Sequence, residues 1–220
     1  MKRIRIAQLA LVLAAAACDK PAPPPADSAA ATPPVPTPAV TPPADAAPST
    51  FRVRLETSKG PIVVELTREW APNGVDRFYQ LVEAGYYDDV RFFRVVPGFV
   101  VQFGMHGNPT TNSEWVAKPL ADDPVKQSNK RGTLTFAQTA MPNSRTTQLF
   151  INLADNSALD GQRFAPIGTV VEGMSVVDAL YAGYGGAPSD QQPQIAAEGN
   201  AFLTRTYPKL DFIRTAKVVK

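Results

Sequence analysis

Short segments of alternating apolar and polar residues recur from residue 51 to the end of the chain. Residues 51–56 and 62–66 alternate with a period of two around turn residues, so they predict an opening β-hairpin. The last segment, 210–219, alternates in the same way, and we expect it to pair with that hairpin. Further strands are predicted at residues 91–95, 100–103, 133–137, 148–153 and 168–171. Many short strands and few helices indicate an all-β sandwich or a closed barrel.

Three segments show helical spacing instead. After Pro72, which suits a first helical turn, apolar residues recur every three or four positions as far as Val82, and Gly85 suits a C-cap. A short helix is predicted at residues 174–181. A longer amphipathic helix is predicted at about 191–207, and we expect it to pack on the outside of the sheet.

Composition divides the chain in two. Half of the 22 prolines precede Phe51, and residues 19–50 contain almost no large apolar side chain. Such a segment cannot bury enough surface to offset its ordering entropy, so it is predicted to be a disordered Pro/Ala-rich linker. Residues 51–220 have the right length for one domain with a single core.

The first 18 residues resemble an export signal. Basic residues precede an apolar run at 6–17 that is too short for a permanent membrane span, and small residues follow. Cys18 then stands where bacterial lipoproteins carry the acylated cysteine, which predicts a lipid anchor in a bacterial cell envelope and a periplasmic or envelope location. The alternative is ordinary signal cleavage beside an incidental cysteine.

Charge and residue counts exclude several other functions. The net charge of +2 is scattered, so neither a nucleic-acid track nor a polybasic membrane patch is predicted. One histidine, His106, and one cysteine leave no His/Cys metal site. His106 lies in a predicted exposed loop without a G-x-S-x-G motif, which disfavours a Ser-His-Asp hydrolase. We expect no metal and no cofactor.

The most informative segment is residues 91–104, because it places a cation among apolar residues of alternating facing. Arg94 is two residues from both Phe92 and Val96, so the three are expected to share one strand face. A Pro-Gly turn then brings Phe99 and Gln102 back beside Arg94. A guanidinium, an amide and an aromatic ring would line one surface. The alternative is a surface arginine whose stem covers Phe92.

This segment resembles the signature F-x-R-V-x-P-G-F-x-x-Q-x-G of the cyclophilins, which are peptidyl-prolyl cis-trans isomerases. Residues 134–152, ending in Gln-Leu-Phe-Ile-Asn, and then residues 159–162 and 168–174 are similar to later family blocks, in the family's order. The resemblance implies a closed eight-stranded antiparallel β-barrel capped by two helices. The helix near 191–207 is additional to that pattern.

The resemblance also implies a set of site residues. Arg94 and Gln102 match the catalytic arginine and the amide that orients it. Ala158 stands where family members often have Trp or Phe, which implies weak cyclosporin binding, and either Arg163 or Phe164 stands near a usual His or Tyr. The remaining matches are to the proline pocket and to the strand that pairs with the substrate: Phe99, Val100, Ala137, Gln138, Phe150 and Leu159.

The implied function is isomerisation of Xaa-Pro bonds in exported polypeptides by a lipid-anchored monomer. Two alternatives remain open: a catalytically weak domain that binds proline-containing segments as a chaperone, and a scaffold lipoprotein whose additional helix binds a partner. The presence of both Arg94 and Gln102 favours the enzyme, because peptide binding alone does not need a hydrogen-bond donor directed at the prolyl nitrogen.

Overall fold

The computed structural model describes residues 46–219, so the predicted export signal, Cys18 and most of the predicted linker lie outside the described residues. The described part contains eight strands, five α-helices and two short 3₁₀ segments, Ser157–Gln162 and Ala187–Gln191. In chain order the strands and helices are β1 (Thr50–Thr57), β2 (Gly60–Thr67), α1 (Pro72–Glu83), β3 (Arg94–Val96), β4 (Val100–Phe103), α2 (Pro109–Val116), β5 (Thr133–Phe136), β6 (Leu149–Asn152), β7 (Pro166–Glu172), α3 (Met174–Asp178), α4 (Gln192–Glu198), α5 (Asn200–Thr206) and β8 (Ile213–Val219).

The eight strands form one curled antiparallel sheet in the order β3-β4-β6-β5-β7-β2-β1-β8. The predicted opening hairpin is confirmed, with Thr57 opposite Gly60 at its turn. The predicted pairing of the last segment is confirmed as well, since β8 runs antiparallel to β1. The first and last strands of the described residues are therefore neighbours in the sheet.

The prediction of a closed barrel is wrong, because β3 and β8 do not pair along their lengths. They approach at a single bridge, Arg91 to Phe212, which lies outside both strands. β3 begins only at Arg94, and the N–H of Val95 donates to the carbonyl of Gly185 (3.2 Å). The loop before α4 thus binds the edge of β3 that a closing strand would occupy, and the sheet remains a half-barrel.

Helix α1 forms where the apolar spacing predicts a helix, and its apolar face is part of the main core. Val75, Phe78, Leu81 and Val82 are buried in the main core, which the inward-facing residues of the strands complete. The helix begins where Asp123 accepts hydrogen bonds from the N–H groups of residues 73 and 74. Burial raises the pKa of Asp123, although those two bonds act in the opposite direction.

The single helix predicted at 191–207 is wrong in detail, because the chain breaks there into α4 and α5. Gly199 separates them with a φ of +59°, and a Cβ at this position would lie 1.9 Å from the carbonyl oxygen of Gly107. The close backbone approach therefore requires glycine and interrupts the helix. As predicted, the segment packs outside the sheet. It does so through a second apolar group, here called the outer cluster: Phe93, Met105, Ile195, Phe202, Leu203, Tyr207 and Leu210.

Helix α2 was not predicted. Its sequence is mostly polar and shows no apolar stripe, so periodicity gives no signal. It begins because Asn108 caps it, accepting hydrogen bonds from the N–H groups of Thr110 and Thr111, and because Pro109 suits its first turn. The predicted helix at 174–181 is confirmed in shorter form as α3.

The folded domain starts a few residues before the predicted boundary at residue 51. Ala47 is buried, and its N–H donates to Asp76 of α1 (3.0 Å). The carbonyl of Ser49 accepts from the N–H of Arg68 (2.9 Å). Residues 47–49 lack large apolar side chains, so composition alone predicts that they belong to the linker. The backbone N–H of Ala47 and the carbonyl of Ser49 nevertheless form hydrogen bonds with the domain.

No helix between residues 46 and 219 combines the length and the apolar character that a bilayer span requires.

Candidate active site

A shallow cavity of about 230 Å³ lies on the outward face of strands β3, β4 and β6. It has a polar side and an apolar side. The polar residues that line it are Arg94, Gln102, Gln138, Ser189 and Gln192, and the apolar residues are Phe99, Val100, Ala137, Phe150, Leu159 and Phe164. Eight of the ten substrate or catalytic residues predicted from the sequence therefore meet in one place, and only Ala158 and Arg163 do not line the cavity.

Strand register creates this arrangement. Arg94 lies opposite Gln102, and Gln102 lies opposite Phe150, so the three side chains form one row across three strands. The alternate residues, such as Val95 and Val101, face the main core. The expectation that Phe92 shares the face of Arg94 is wrong: Phe92 precedes the strand and is fully buried in the main core.

The guanidinium of Arg94 is held from two sides. Its Nη1 donates to Oε1 of Gln102 (3.1 Å), and its Cζ lies 5.5 Å from the centre of the Phe99 ring. At this distance the ring and the guanidinium attract each other, and the attraction is effective because a guanidinium is planar and weakly hydrated. The side chain is only half-buried, so donor groups remain available to a molecule in the cavity.

Two residues that sequence reasoning missed extend this contact into a chain of side-chain amides. Gln102 donates from Nε2 to Oε1 of Gln148 (2.9 Å), and Gln148 donates from Nε2 to Oε1 of Gln192 (2.9 Å). The period-two spacing of Gln148 and Phe150 could have identified the first. Nothing near Gln192 in the sequence points to the cavity, because it comes from α4, outside the sheet.

The apolar side of the cavity is formed by Phe99, Val100, Phe150, Leu159 and Phe164. The rings of Phe150 and Phe164 meet edge to face with centroids 5.6 Å apart. Val100 and Phe150 are almost fully buried. A small apolar ring would therefore find contact on several sides.

The structure gives different surroundings to the two candidate residues, Arg163 and Phe164. Arg163 has a φ of +68° after the 3₁₀ segment, and its exposed side chain turns toward Asp122, with Nη1 3.7 Å from Oδ2. Phe164 lines the cavity. Ala158 is exposed on the same 3₁₀ segment, where its methyl group contributes no wall.

A polar network behind the cavity holds the 3₁₀ segment and its neighbours. The fully buried Asn129 donates from Nδ2 to Oδ1 of Asp160 (2.7 Å) and to the carbonyl of Phe164 (2.8 Å). Asn156 donates to the carbonyl of Phe99 (2.9 Å). Burial by itself would raise the pKa of Asp160, but hydrogen bonds from Ser128 and Asn129 outweigh it, and the pKa lies below its usual value.

A second open cavity, of about 270 Å³, adjoins the first. The two share Gln102, Ala137, Gln138 and Gln192. Gln138 donates from Nε2 to the carbonyl of Gln162 (2.6 Å), so its Oε1 is the free acceptor. Within residues 46–219 this buried Oε1 has no hydrogen-bond partner.

The chemistry available at this site is hydrogen bonding and apolar contact. Among residues 46–219, the side chains that line the first cavity include no Cys, His, Asp or Glu. His106 lies elsewhere, half-buried rather than exposed as predicted, with its ring 5.1 Å from that of Tyr86, and burial lowers its pKa. Across residues 46–219, no group of three or more His, Cys, Asp or Glu side chains is arranged to hold a metal ion.

The cavity has a guanidinium and amides on one side and a small apolar pocket on the other, an arrangement compatible with an extended polypeptide. Comparison with known proteins agrees. Residues 52–198 match the family described as cyclophilin type peptidyl-prolyl cis-trans isomerase/CLD.

Named relatives and solved structures are similar as well. The chain is 40% identical over 150 residues to peptidyl-prolyl cis-trans isomerase A of Dickeya dadantii, covering 63% of this chain and 75% of the relative. It is 34% identical over 138 residues to peptidyl-prolyl cis-trans isomerase B of Escherichia coli, covering 58% and 82%. A cyclophilin type isomerase from Cryptosporidium parvum has the same fold, with a TM-score of 0.57 and 19% identity over 78% of this chain and 98% of that one.

The match over more than half of its length shows that this chain belongs to the cyclophilin type peptidyl-prolyl cis-trans isomerase family. It is therefore an enzyme of the isomerase class, and proline-containing peptides are the substrates of that class.

Proposed function

We propose that the domain accelerates rotation about Xaa-Pro bonds in exported polypeptides, and that Arg94 supplies the hydrogen bond that stabilises the transition state. The observation that carries this proposal is the Arg94–Gln102 contact, which holds a guanidinium beside an apolar pocket with donor groups still accessible.

The physical basis is the change at the prolyl nitrogen during rotation. Amide resonance gives the planar bond a barrier of about 20 kcal/mol and leaves its nitrogen a poor acceptor. In the twisted state the nitrogen regains its lone pair and becomes an acceptor. A donor directed at it stabilises the transition state and not the ground state, which is the condition for a higher kcat.

One hydrogen bond does not supply the whole effect. A 10⁴-fold to 10⁵-fold acceleration corresponds to about 5 to 7 kcal/mol, whereas a hydrogen bond from a charged group contributes roughly 1.5 to 3 kcal/mol. The remainder comes from holding the peptide. Phe99, Phe150 and Leu159 enclose the proline ring, and the segment at Ala137 and Gln138 pairs with the substrate backbone, so one side of the bond is fixed while the other rotates.

Replacing Arg94 tests the proposal. In a protease-coupled assay on a Xaa-Pro peptide, Arg94→Ala lowers kcat/KM at least tenfold while circular dichroism shows an unchanged fold. Arg94→Lys recovers little, because a point-like ammonium does not reproduce the planar guanidinium. Arg214→Ala is the matched control. Arg214 also lies on a strand, with its Cζ 5.3 Å from the centre of the Phe212 ring, but it is exposed and does not line the cavity.

Equal activity of wild type and Arg94→Ala would remove Arg94 from the mechanism. Saturable binding of the peptide by a folded wild-type domain without acceleration would favour the alternative of a peptide-binding chaperone.

The cellular setting rests on the sequence. Basic residues and an apolar run before Cys18 support export, acylation of Cys18 and attachment to a bacterial membrane through the Pro/Ala-rich segment. Fractionation and mass spectrometry test this. The wild type is recovered with membranes and begins at a lipid-modified Cys18, whereas Cys18→Ser is released as soluble protein. A soluble wild type with an unmodified N-terminus would contradict the anchor.

A further inference from the structure

The amide chain that begins at Arg94 does not end within the sheet. It runs from Gln102 on β4, through Gln148 at the start of β6, to Gln192 at the start of α4, with both amide contacts at 2.9 Å. Gln192 also lines both cavities. A residue of the α4–α5 segment, 187–206, therefore reaches the site through contacts that no motif of the sequence indicates.

The direction of every hydrogen bond in this chain is set by the arginine. A guanidinium only donates, so Gln102 must present its oxygen to Arg94 and its NH₂ group to Gln148. Gln148 must then accept from Gln102 and donate to Gln192. The requirement on Gln192 is specific: it has to present an acceptor. Without one, the NH₂ group of Gln148 loses its partner, and only the contact from Gln102 orients this amide.

Packing fixes Gln192 to the strands that carry the other members. Ile195, one turn further along α4, is buried in the outer cluster against Phe93 and Met105, which directly precede β3 and closely follow β4. The N–H of Val95 in β3 donates to Gly185, just before the segment. The backbone of α4 at Gln192 is therefore attached to the elements that carry Arg94 and Gln102.

We infer that Gln192 is a positioning residue for Arg94, acting through Gln148 and Gln102. This inference rests on the proposed role of Arg94. The α4–α5 segment then serves catalysis by terminating a directional hydrogen-bond chain, in addition to covering the edge of β3.

Three substitutions test the need for an acceptor. Gln192→Leu keeps the approximate size but removes the acceptor, and it lowers kcat about threefold to tenfold with little change in KM, which corresponds to the loss of one hydrogen bond. Gln192→Glu keeps an acceptor and retains near wild-type kcat. Gln194→Leu is the control, because Gln194 is exposed on the same helix and lines neither cavity. Circular dichroism and thermal unfolding establish that each variant is folded.

A double-mutant cycle tests whether the effect passes through Gln148. In a Gln148→Leu background, Gln192→Leu causes no further loss of kcat, because the chain is already interrupted. A full additional loss, or a change confined to KM, would mean that Gln192 contacts the substrate directly and would overturn the inference. An equal loss in Gln192→Glu would overturn it as well.

The same data separate this inference from the proposed function. If wild type is active and Arg94→Ala is not, but Gln192→Leu equals wild type, the positioning role alone fails. If Arg94→Ala is as active as wild type, the proposed role of Arg94 is wrong, and the positioning role of Gln192 is then wrong as well.

Discussion

At the scale of single residues, the site depends on polar side chains that satisfy one another. Gln102 is nearly fully buried, and a buried amide without partners would cost about 1 to 3 kcal/mol. Arg94 and Gln148 provide those partners, so the same bonds that direct the guanidinium also make the burial of Gln102 tolerable. The apolar side of the cavity should tolerate more substitutions, because apolar contacts depend on the size and shape of a side chain and not on the direction of hydrogen bonds.

Phe164 and its neighbour Arg163 give a direct test of the apolar wall. Phe164→Ala lowers kcat/KM about fivefold, since half of a full phenylalanine burial is about 1 kcal/mol. Most of the change falls on KM, because the wall contacts the proline ring in both ground and transition states. Arg163→Ala, measured in the same peptide assay, leaves both constants unchanged. The reverse result would place Arg163, and not Phe164, in the pocket.

At the scale of elements, strands β3, β4 and β6 carry the row of Arg94, Gln102 and Phe150, and short irregular segments supply further walls of the cavity. Leu159 lies on a 3₁₀ segment, Phe164 follows it, and Gln192 starts a helix of seven residues. Each of these segments is held by specific contacts: the first by the network of Asn129 and Asp160, the second by the outer cluster. Damage to these contacts should alter the cavity before it unfolds the sheet.

The break between α4 and α5 should not tolerate a side chain. Gly199→Ala combines a positive φ with a Cβ placed 1.9 Å from the carbonyl oxygen of Gly107, and it is expected to cost roughly 2 to 5 kcal/mol. Gly185→Ala is the control. It also has a positive φ, +54°, but its Cβ would meet open space, so about 1 to 2 kcal/mol is expected. Thermal unfolding of both variants measures the difference, and equal midpoints would show that Gly107 moves away freely.

The depressed pKa of Asp160 predicts how the 3₁₀ segment responds to acid. A carboxyl group whose pKa is lower in the folded state adds stability above its unfolded pKa of about 3.9, and that stability is lost as the pH falls through the lower folded value. Asp160→Asn is therefore less stable than wild type at pH 7, and the difference shrinks below about pH 4. Urea unfolding at several pH values checks this. A difference that stays constant into acid would assign the loss to packing instead.

At the scale of the whole molecule, the curled sheet stays open and the α4–α5 segment covers its outer edge. Segments distant in sequence are joined there: β8 pairs with β1, Gly185 binds β3, and Gly199 rests on Gly107. The same segment reaches the cavity through Gln192. In a closed barrel the edge of β3 would pair with β8. Here the α4–α5 segment approaches the cavity near that edge instead.

The N-terminal boundary gives a test at this scale. A domain that starts at residue 46 retains the hydrogen bonds from Ala47 to Asp76 and from Arg68 to Ser49, and a domain that starts at residue 50 loses both. Two backbone bonds correspond to about 2 kcal/mol, or a thermal midpoint lower by about 4 to 8 °C. Isomerase activity at 10 °C is the same for both, because these contacts lie away from the cavity. Equal midpoints would place the boundary at residue 51.

The sequence alone determined the elements whose signals are local. Period-two alternation located the opening hairpin and β8, helical spacing located α1, and the register of one strand–turn–strand unit was enough to bring Arg94, Phe99 and Gln102 together. Resemblance to a known family added Phe150 and Leu159, which also line the cavity. These features could be predicted because neighbouring residues in the chain set them.

Only the tertiary structure decided the rest, because it depends on residues far apart in the chain. Gln148 and Gln192 are 44 positions apart, and Gly107 and Gly199 meet across more than twice that separation in sequence. No local pattern reports such a contact, so neither the helix break nor the end of the amide chain could be read from periodicity. The open sheet edge has the same origin: whether β3 meets β8 or Gly185 is settled by packing of the α4–α5 segment, not by the sequence of either strand.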